Sequence, residues 1–185
     1  LFISRFIVSI FLFFYPIKIN IIAIILLFKL KKDKLETYVI KIEQAEKQLE
    51  SLFETKLSLL TQIQTIFEER EDEFELKILS DIDNDEQNSF KLNSILNKSY
   101  KKVKDFIDNK RSFRPDDEKK KILDDLYNID IECIAVKKYY NDNATILNEK
   151  RTKFLNRIIS KFKHIEKKEL YIDPVEEEFE ILKKK

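Results

Sequence analysis

The sequence has no glycine, no methionine and no tryptophan, and its 185 residues include three prolines, one cysteine and one histidine. Tight hairpin turns depend on glycine, so a chain without any glycine is predicted to be all-α. The same absence excludes the glycine-rich loops that hold nucleotide phosphates. Because position 1 is not Met, we expect an incomplete N-terminus or a non-ATG start. The abundant Lys, Ile, Asn and Phe indicate an AT-rich coding sequence of bacterial type.

The scarcity of histidine and cysteine limits the chemistry of the chain. A di-iron bundle needs two Glu-x-x-His motifs, whereas His164 is the single histidine and has Lys161 three residues before it. Cys133 lies on an apolar stripe and is expected to be a small core residue. We therefore predict a protein that is not an enzyme and has no metal and no cofactor.

Neither sign of charge dominates. The chain has 35 basic and 34 acidic residues, a formal net charge of +1. A nucleic-acid-binding protein needs a basic face, so this balance argues against a nucleic-acid partner.

The first 28 residues are mostly apolar, and a transmembrane helix needs about 20 such residues. Three interpretations are open: a single span in which Lys18 snorkels to an interface, a shorter span that begins near Ile17, or a cleaved signal peptide. No small-residue cleavage site follows the segment, so we predict an uncleaved single-pass anchor over residues 1–30.

A basic cluster follows the apolar segment at once: Lys29, Lys31, Lys32 and Lys34. On the N-terminal side, Arg5 is the one basic residue before the apolar run that begins at Phe6. The positive-inside rule therefore predicts a cell-membrane protein with most of the chain in the cytoplasm. The cluster is also a candidate site for anionic lipid headgroups.

The rest of the chain is predicted to form an antiparallel bundle of long helices over residues 31–172, followed by a charged tail over 173–185. Apolar residues recur at helical spacing from Leu35 to about Leu79, with Lys56 as the one break, and again from 88 to 109. The longest pattern lies between 116 and 162 and carries a narrow stripe: Ile122, Leu126, Ile129, Cys133, Val136, Tyr140 and Leu147.

Residues 130–141 resemble a pattern of the LemA family, Glu-Asn-x-Ile-Ala-x-Ala-Arg-x-x-Tyr-Asn. The family's second Asn corresponds to Asn148, its Phe to Phe154, and its closing aromatic patch to Leu170 and Tyr171. The resemblance implies a single anchor and a LemA-like four-helix bundle. It identifies these candidate structural or partner-binding residues: Lys137, Tyr140, Asn141, Asn148 and Phe154.

The sequence departs from the family at several positions. Asp130 stands in place of the family's Glu, Lys137 in place of its Arg, and Leu155 in place of the Pro after Phe. The family's Arg-Arg-x-Asp-Leu-Ile-Pro-Asn-Leu stretch falls on residues 55–63, where only the apolar frame remains. Because Leu155 replaces Pro, the helix is expected to continue past this point.

Two functions are predicted. The first is a non-catalytic interaction or scaffold protein with an unknown protein partner. The second is a signalling or transport accessory that senses a ligand or partner in the bundle. The first predicts a closed core near Tyr140 and Asn148, and the second a polar cavity there. Asn141 and Asn148 are two helical turns apart, so they either fix helix register or bind a partner segment.

Overall fold

The computed structural model describes the backbone of residues 2–68, 88–109 and 117–171, and the side chains of 19–66, 88–109 and 119–171. These ranges contain four helices and no strand: α1 Phe2–Glu68, α2 Ser89–Asn109, α3 Asp117–Thr152 and α4 Phe154–Phe162. The prediction of an all-α helical bundle is confirmed. The predicted turn at 80–87 and the predicted tail at 173–185 lie outside the described residues.

Helix α1 is continuous from the apolar N-terminal segment into the bundle. Within the part of the chain that the structure describes, no helix combines the length and the apolar character that crossing a membrane requires. The anchor prediction falls largely on residues 1–18, whose side chains lie outside the described set.

Contacts along the chain define two compact units. Unit 1 comprises Leu1–Ile42 with Asn143–Glu169, and unit 2 comprises Glu43–Asp142 with Leu170–Lys185. Helices α1 and α3 each contribute to both units, and the last described residues, Leu170 and Tyr171, belong to unit 2.

The core of unit 2 follows seven-residue repeats. On α3, Leu126, Cys133 and Tyr140 are buried at this spacing, which confirms the predicted stripe. Since seven residues make two helical turns, such residues lie on one side of the helix. They are joined in the core by apolar residues of α1 and α2: Ala45, Leu49, Leu52, Phe53, Leu60, Ile63, Leu96 and Val103.

Unit 1 has a smaller core, made by α1, the end of α3 and α4. Its buried apolar residues are Leu35, Ile42, Ala144, Leu147 and Ile159. At its periphery the Lys163 ammonium lies 3.6 Å from the Glu36 carboxylate, and the Lys150 ammonium lies 5.6 Å from the centre of the Tyr38 ring.

The expectation that the long helix continues past Leu155 is wrong. Helix α3 ends at Thr152, and Lys153 adopts an extended conformation before α4 begins at Phe154. The Asn156 side chain donates a 2.9 Å hydrogen bond to the carbonyl of Lys150, and the amide of Lys153 donates to the same carbonyl at 3.2 Å. This carbonyl would otherwise pair with the amide of residue 154, so the helix is interrupted without proline.

Helix α4 ends in a left-handed cap at His164, whose φ is 51°. The amide of Ile165 bonds the carbonyl of Ser160 at 2.9 Å, and the amide of His164 bonds that of Lys161 at 3.4 Å. This is the Schellman arrangement, which usually places glycine at the left-handed position. In a chain without glycine, histidine takes that position, and the chain continues into segment 165–171, which has no regular secondary structure.

Candidate functional site

Four aromatic rings pack together around the last described residue of unit 2. The Tyr171 ring stacks on Phe90 at a centroid distance of 4.3 Å and meets Tyr140 and Phe53 edge to face at 5.0 and 6.2 Å. Tyr140 is only 1% exposed. The Tyr171 and Ser89 hydroxyl oxygens are hydrogen-bonded at 2.9 Å. Tyr171 is therefore a core residue, although it follows a segment without regular secondary structure.

Asn141 holds the backbone of Tyr171 with both atoms of its side-chain amide. Its Nδ2 donates to the Tyr171 carbonyl at 2.7 Å, and its Oδ1 accepts from the Tyr171 amide at 2.9 Å. The two bonds satisfy the backbone donor and acceptor of Tyr171, which lies in a segment without regular secondary structure to supply such partners.

The same arrangement occurs in unit 1. Asn148 Nδ2 donates to the carbonyl of Lys168 at 2.8 Å, and the amide of Lys168 donates to Asn148 Oδ1 at 3.0 Å. We call these two pairings the Asn141 clamp and the Asn148 clamp.

The clamps differ from both roles that the sequence left open for these asparagines. Each Asn binds the backbone of a non-helical segment of the same chain, and not a second helix or a separate partner. The spacing of the asparagines pointed to the feature, but the binding partner is backbone. A backbone partner leaves no residue-type signal in the sequence.

Lys56 interrupts the apolar stripe of α1, and the sequence analysis predicted no role for it. It is 1% exposed, and its Nζ lies 2.5 Å from Asp130 Oδ1 and 3.1 Å from Asn97 Oδ1. The ammonium also lies 5.1 Å from the centre of the Tyr100 ring. The core position thus holds an ion pair between a buried lysine and a partly exposed aspartate, with additional hydrogen bonding.

This ion pair affects its titratable neighbours. Burial is the main cause that raises the pKa of Tyr100, and the negative charge of Asp130 raises it further. Burial also raises the pKa of the Cys133 thiol, against a smaller opposing effect of Lys56 and Lys137. A buried thiol with a raised pKa is a poor nucleophile, which agrees with the prediction of a core cysteine.

The other candidate residues are placed as follows. Lys137 is buried in α3, on the same side as the stripe. Phe154 begins α4 and is 79% exposed, so it does not belong to the core. In the basic cluster, Lys29, Lys31 and Lys34 are exposed. Lys32 is half-buried, and its ammonium lies 3.5 Å from the Glu36 carboxylate.

Unit 1 contains a cavity of about 850 Å³ between the end of α3, α4 and the turn that follows α4. Asn148 lines it, together with basic residues from all three elements. Among the residues that the structure describes, no group of three or more His, Cys, Asp or Glu side chains is arranged to hold a metal ion.

The comparisons with known proteins return no match. No protein-family model matches the chain, and neither a curated protein nor a solved structure resembles it significantly.

Proposed function

We propose that this chain is a membrane-anchored helical-bundle protein of LemA type with a non-catalytic role in protein interactions. The anchor would be a single helix in the cell membrane, with most of the chain in the cytoplasm. The observation that carries this proposal is the exposure of apolar side chains along α1. Ile21, Ile22, Ile24, Ile25, Leu26 and Leu27 are each 48–64% exposed.

These residues point in all directions around the helix, because successive residues of a helix are turned by about 100°. A helix that is apolar on every side belongs in a protein core or in a membrane. Within the described residues nothing covers this stretch, and a second mostly apolar run, residues 6–17, precedes it beyond Lys18 and Asn20. Both features support insertion into a bilayer.

The cavity beside Asn148 favours the second function, a signalling or transport accessory that senses a ligand in the bundle. A closed core was expected for a scaffold and a polar cavity for a sensor. Around Tyr140 the packing is closed. Beside Asn148 the structure instead has a cavity lined mainly by polar and charged residues. The scaffold role remains our first proposal, and ligand binding in unit 1 is compatible with it.

Extraction of membranes with alkaline carbonate tests the anchor. We expect the full chain to remain in the membrane pellet and the double variant Ile21→Lys/Ile25→Lys to appear mainly in the supernatant. Each lysine near the centre of a membrane helix costs about 2.5–3.5 kcal/mol. The matched control is Ile40→Lys, which changes an equally exposed isoleucine of the same helix beyond the basic cluster and should stay in the pellet.

Release of the unmodified chain by carbonate would contradict the anchor. The side of the membrane is checked by protease treatment of spheroplasts that carry a C-terminally tagged chain. Protection of the tag until the membrane is broken is expected, and cleavage from outside would contradict the cytoplasmic location.

A further inference from the structure

The cavity of unit 1 carries a strong excess of positive charge. Among the described residues that line it, four are cationic and one is acidic: Arg151, Arg157, Lys161, Lys167 and the acid Glu166. These residues come from three consecutive elements, so the helix break at Lys153 and the cap at His164 bring them together. A concave site lined by one sign of charge concentrates ions of the opposite sign.

Two residues that line the cavity have buried polar atoms without hydrogen-bond partners among the described residues. Ser160 is 5% exposed, and its Oγ has no hydrogen-bond partner among the described residues. Arg151 Nε is buried and likewise has no hydrogen-bond partner within the described part of the chain. Unsatisfied buried donors are rare in native proteins and cost free energy. Both of these atoms are donors with almost no accessible surface, so a ligand that offers several acceptor oxygens would reach them after a movement of the two side chains.

The volume of the cavity, about 850 Å³, is within the range of small-molecule sites and exceeds what a bare anion needs. Arginine pairs with phosphate oxygens through parallel hydrogen bonds, and lysine and serine supply further donors. A phosphate group carried by a larger molecule fits both the charge and the volume.

Unit 1 also places the cavity near the basic cluster of α1. Lys163, between the cavity residues Lys161 and His164, lies 3.6 Å from Glu36. Phe28 is the last residue of the apolar segment, and Glu36 lies eight residues after it, about 12 Å along a helix. The basic cluster lies between these two residues. A phospholipid headgroup is therefore one source of the phosphate, and a free phosphate anion is the other.

We propose that the cavity of unit 1 is a binding site for a phosphate group, held by Arg151, Arg157 and the Ser160 hydroxyl. Glu166 disfavours the bound anion and thereby limits the affinity. This inference does not depend on the membrane anchor, because all of its residues lie in α3, α4 and the following turn.

Binding is measured on the full chain in a non-ionic detergent, which suits the protein whether or not it is anchored. The probes are inorganic phosphate, dihexanoyl-phosphatidylglycerol and, as the zwitterionic reference, dihexanoyl-phosphatidylcholine. The readout is the dissociation constant from isothermal titration, with the melting temperature of each variant recorded in the absence of ligand.

Three variants are expected to change the binding affinity, two by weakening it and one by strengthening it. Ser160→Ala and Arg157→Gln should weaken binding by roughly 10-fold or more, since each loses a hydrogen bond to the anion. Glu166→Gln should strengthen binding by a few-fold, because it removes a like charge. Ser160→Ala deletes a hydroxyl without a partner, so its melting temperature without ligand should be unchanged or higher. Lys102→Gln, on an exposed lysine of α2, is the control for loss of one positive charge.

Binding of inorganic phosphate with this order of affinities supports the proposal and identifies a soluble source. Binding of phosphatidylglycerol alone, with the same order, supports it with a lipid source. The proposal is overturned if none of the probes binds, or if Lys102→Gln weakens binding as much as Arg157→Gln does. Neither result would alter the carbonate-extraction result, so failure of the site and failure of the anchor are distinguishable.

Discussion

Asp130→Asn is expected to lower the free energy of unfolding by about 3–5 kcal/mol, because it leaves the Lys56 ammonium buried without its counter-ion. Lys56 is 1% exposed and the Asp130 side chain 16%, so water has little access to the ammonium once the carboxylate is gone. The amide of Asn would retain a hydrogen-bond acceptor but no charge. Urea or thermal unfolding followed by circular dichroism measures the loss.

Two comparison variants make this prediction specific. Asp124→Asn removes an exposed acid of the same helix and should change stability by at most about 0.5 kcal/mol. The double variant Lys56→Met/Asp130→Leu replaces the pair by apolar side chains and should recover most or all of the lost stability. Equal small effects of Asp130→Asn and Asp124→Asn would show that the pair is not buried.

Tyr171→Ala is expected to lower the free energy of unfolding by about 3–5 kcal/mol, the usual cost of removing a buried aromatic side chain. The side chain contacts three other rings and closes the core of unit 2. Tyr127→Ala is the control, since Tyr127 is 57% exposed on α3 and should cost little. Comparable costs for the two alanine variants would contradict the docking of Tyr171.

Tyr171→Phe removes the hydroxyl and keeps the ring. It should lower the free energy of unfolding by only about 1 kcal/mol, the contribution of the hydrogen bond with Ser89. Burial raises the pKa of Tyr171 above its ordinary value of 10.0, and Glu46 and Glu50 raise it further, against the Ser89 hydrogen bond. In the unfolded chain the phenol ionises first, so the stability from this group is lost as pH rises above about 10. Tyr171→Phe should reduce this alkaline loss.

The helical architecture could be predicted because it depends on residue spacing. The absence of glycine and the seven-residue recurrence on α3 indicate long helices, and Leu126, Cys133 and Tyr140 are buried as the pattern requires. A periodic pattern predicts whether a residue is buried from the polarity of that residue alone. It therefore does not predict burial of Lys56, because its partner Asp130 lies 74 residues away in the sequence.

The helix break at Lys153 could not be predicted from the usual signals. Neither glycine nor proline marks it, and the interruption is stabilised by the Asn156 side chain on the carbonyl of Lys150. The cavity depends on this break, since it directs α4 and its basic residues toward the end of α3. The position of the cavity therefore depends on a short-range hydrogen bond, which the spacing of apolar residues does not predict.

Two asparagines, Asn141 and Asn148, hold segment 165–171 by its backbone. Hydrogen exchange at the amides of Lys168 and Tyr171, followed by NMR, tests this arrangement most directly. Both amides should exchange far more slowly than in an unstructured chain. Asn148→Leu should accelerate exchange selectively at Lys168, and Asn141→Leu selectively at Tyr171. If both amides of the unmodified protein exchange at unstructured rates, the clamps do not exist in solution and the account is wrong.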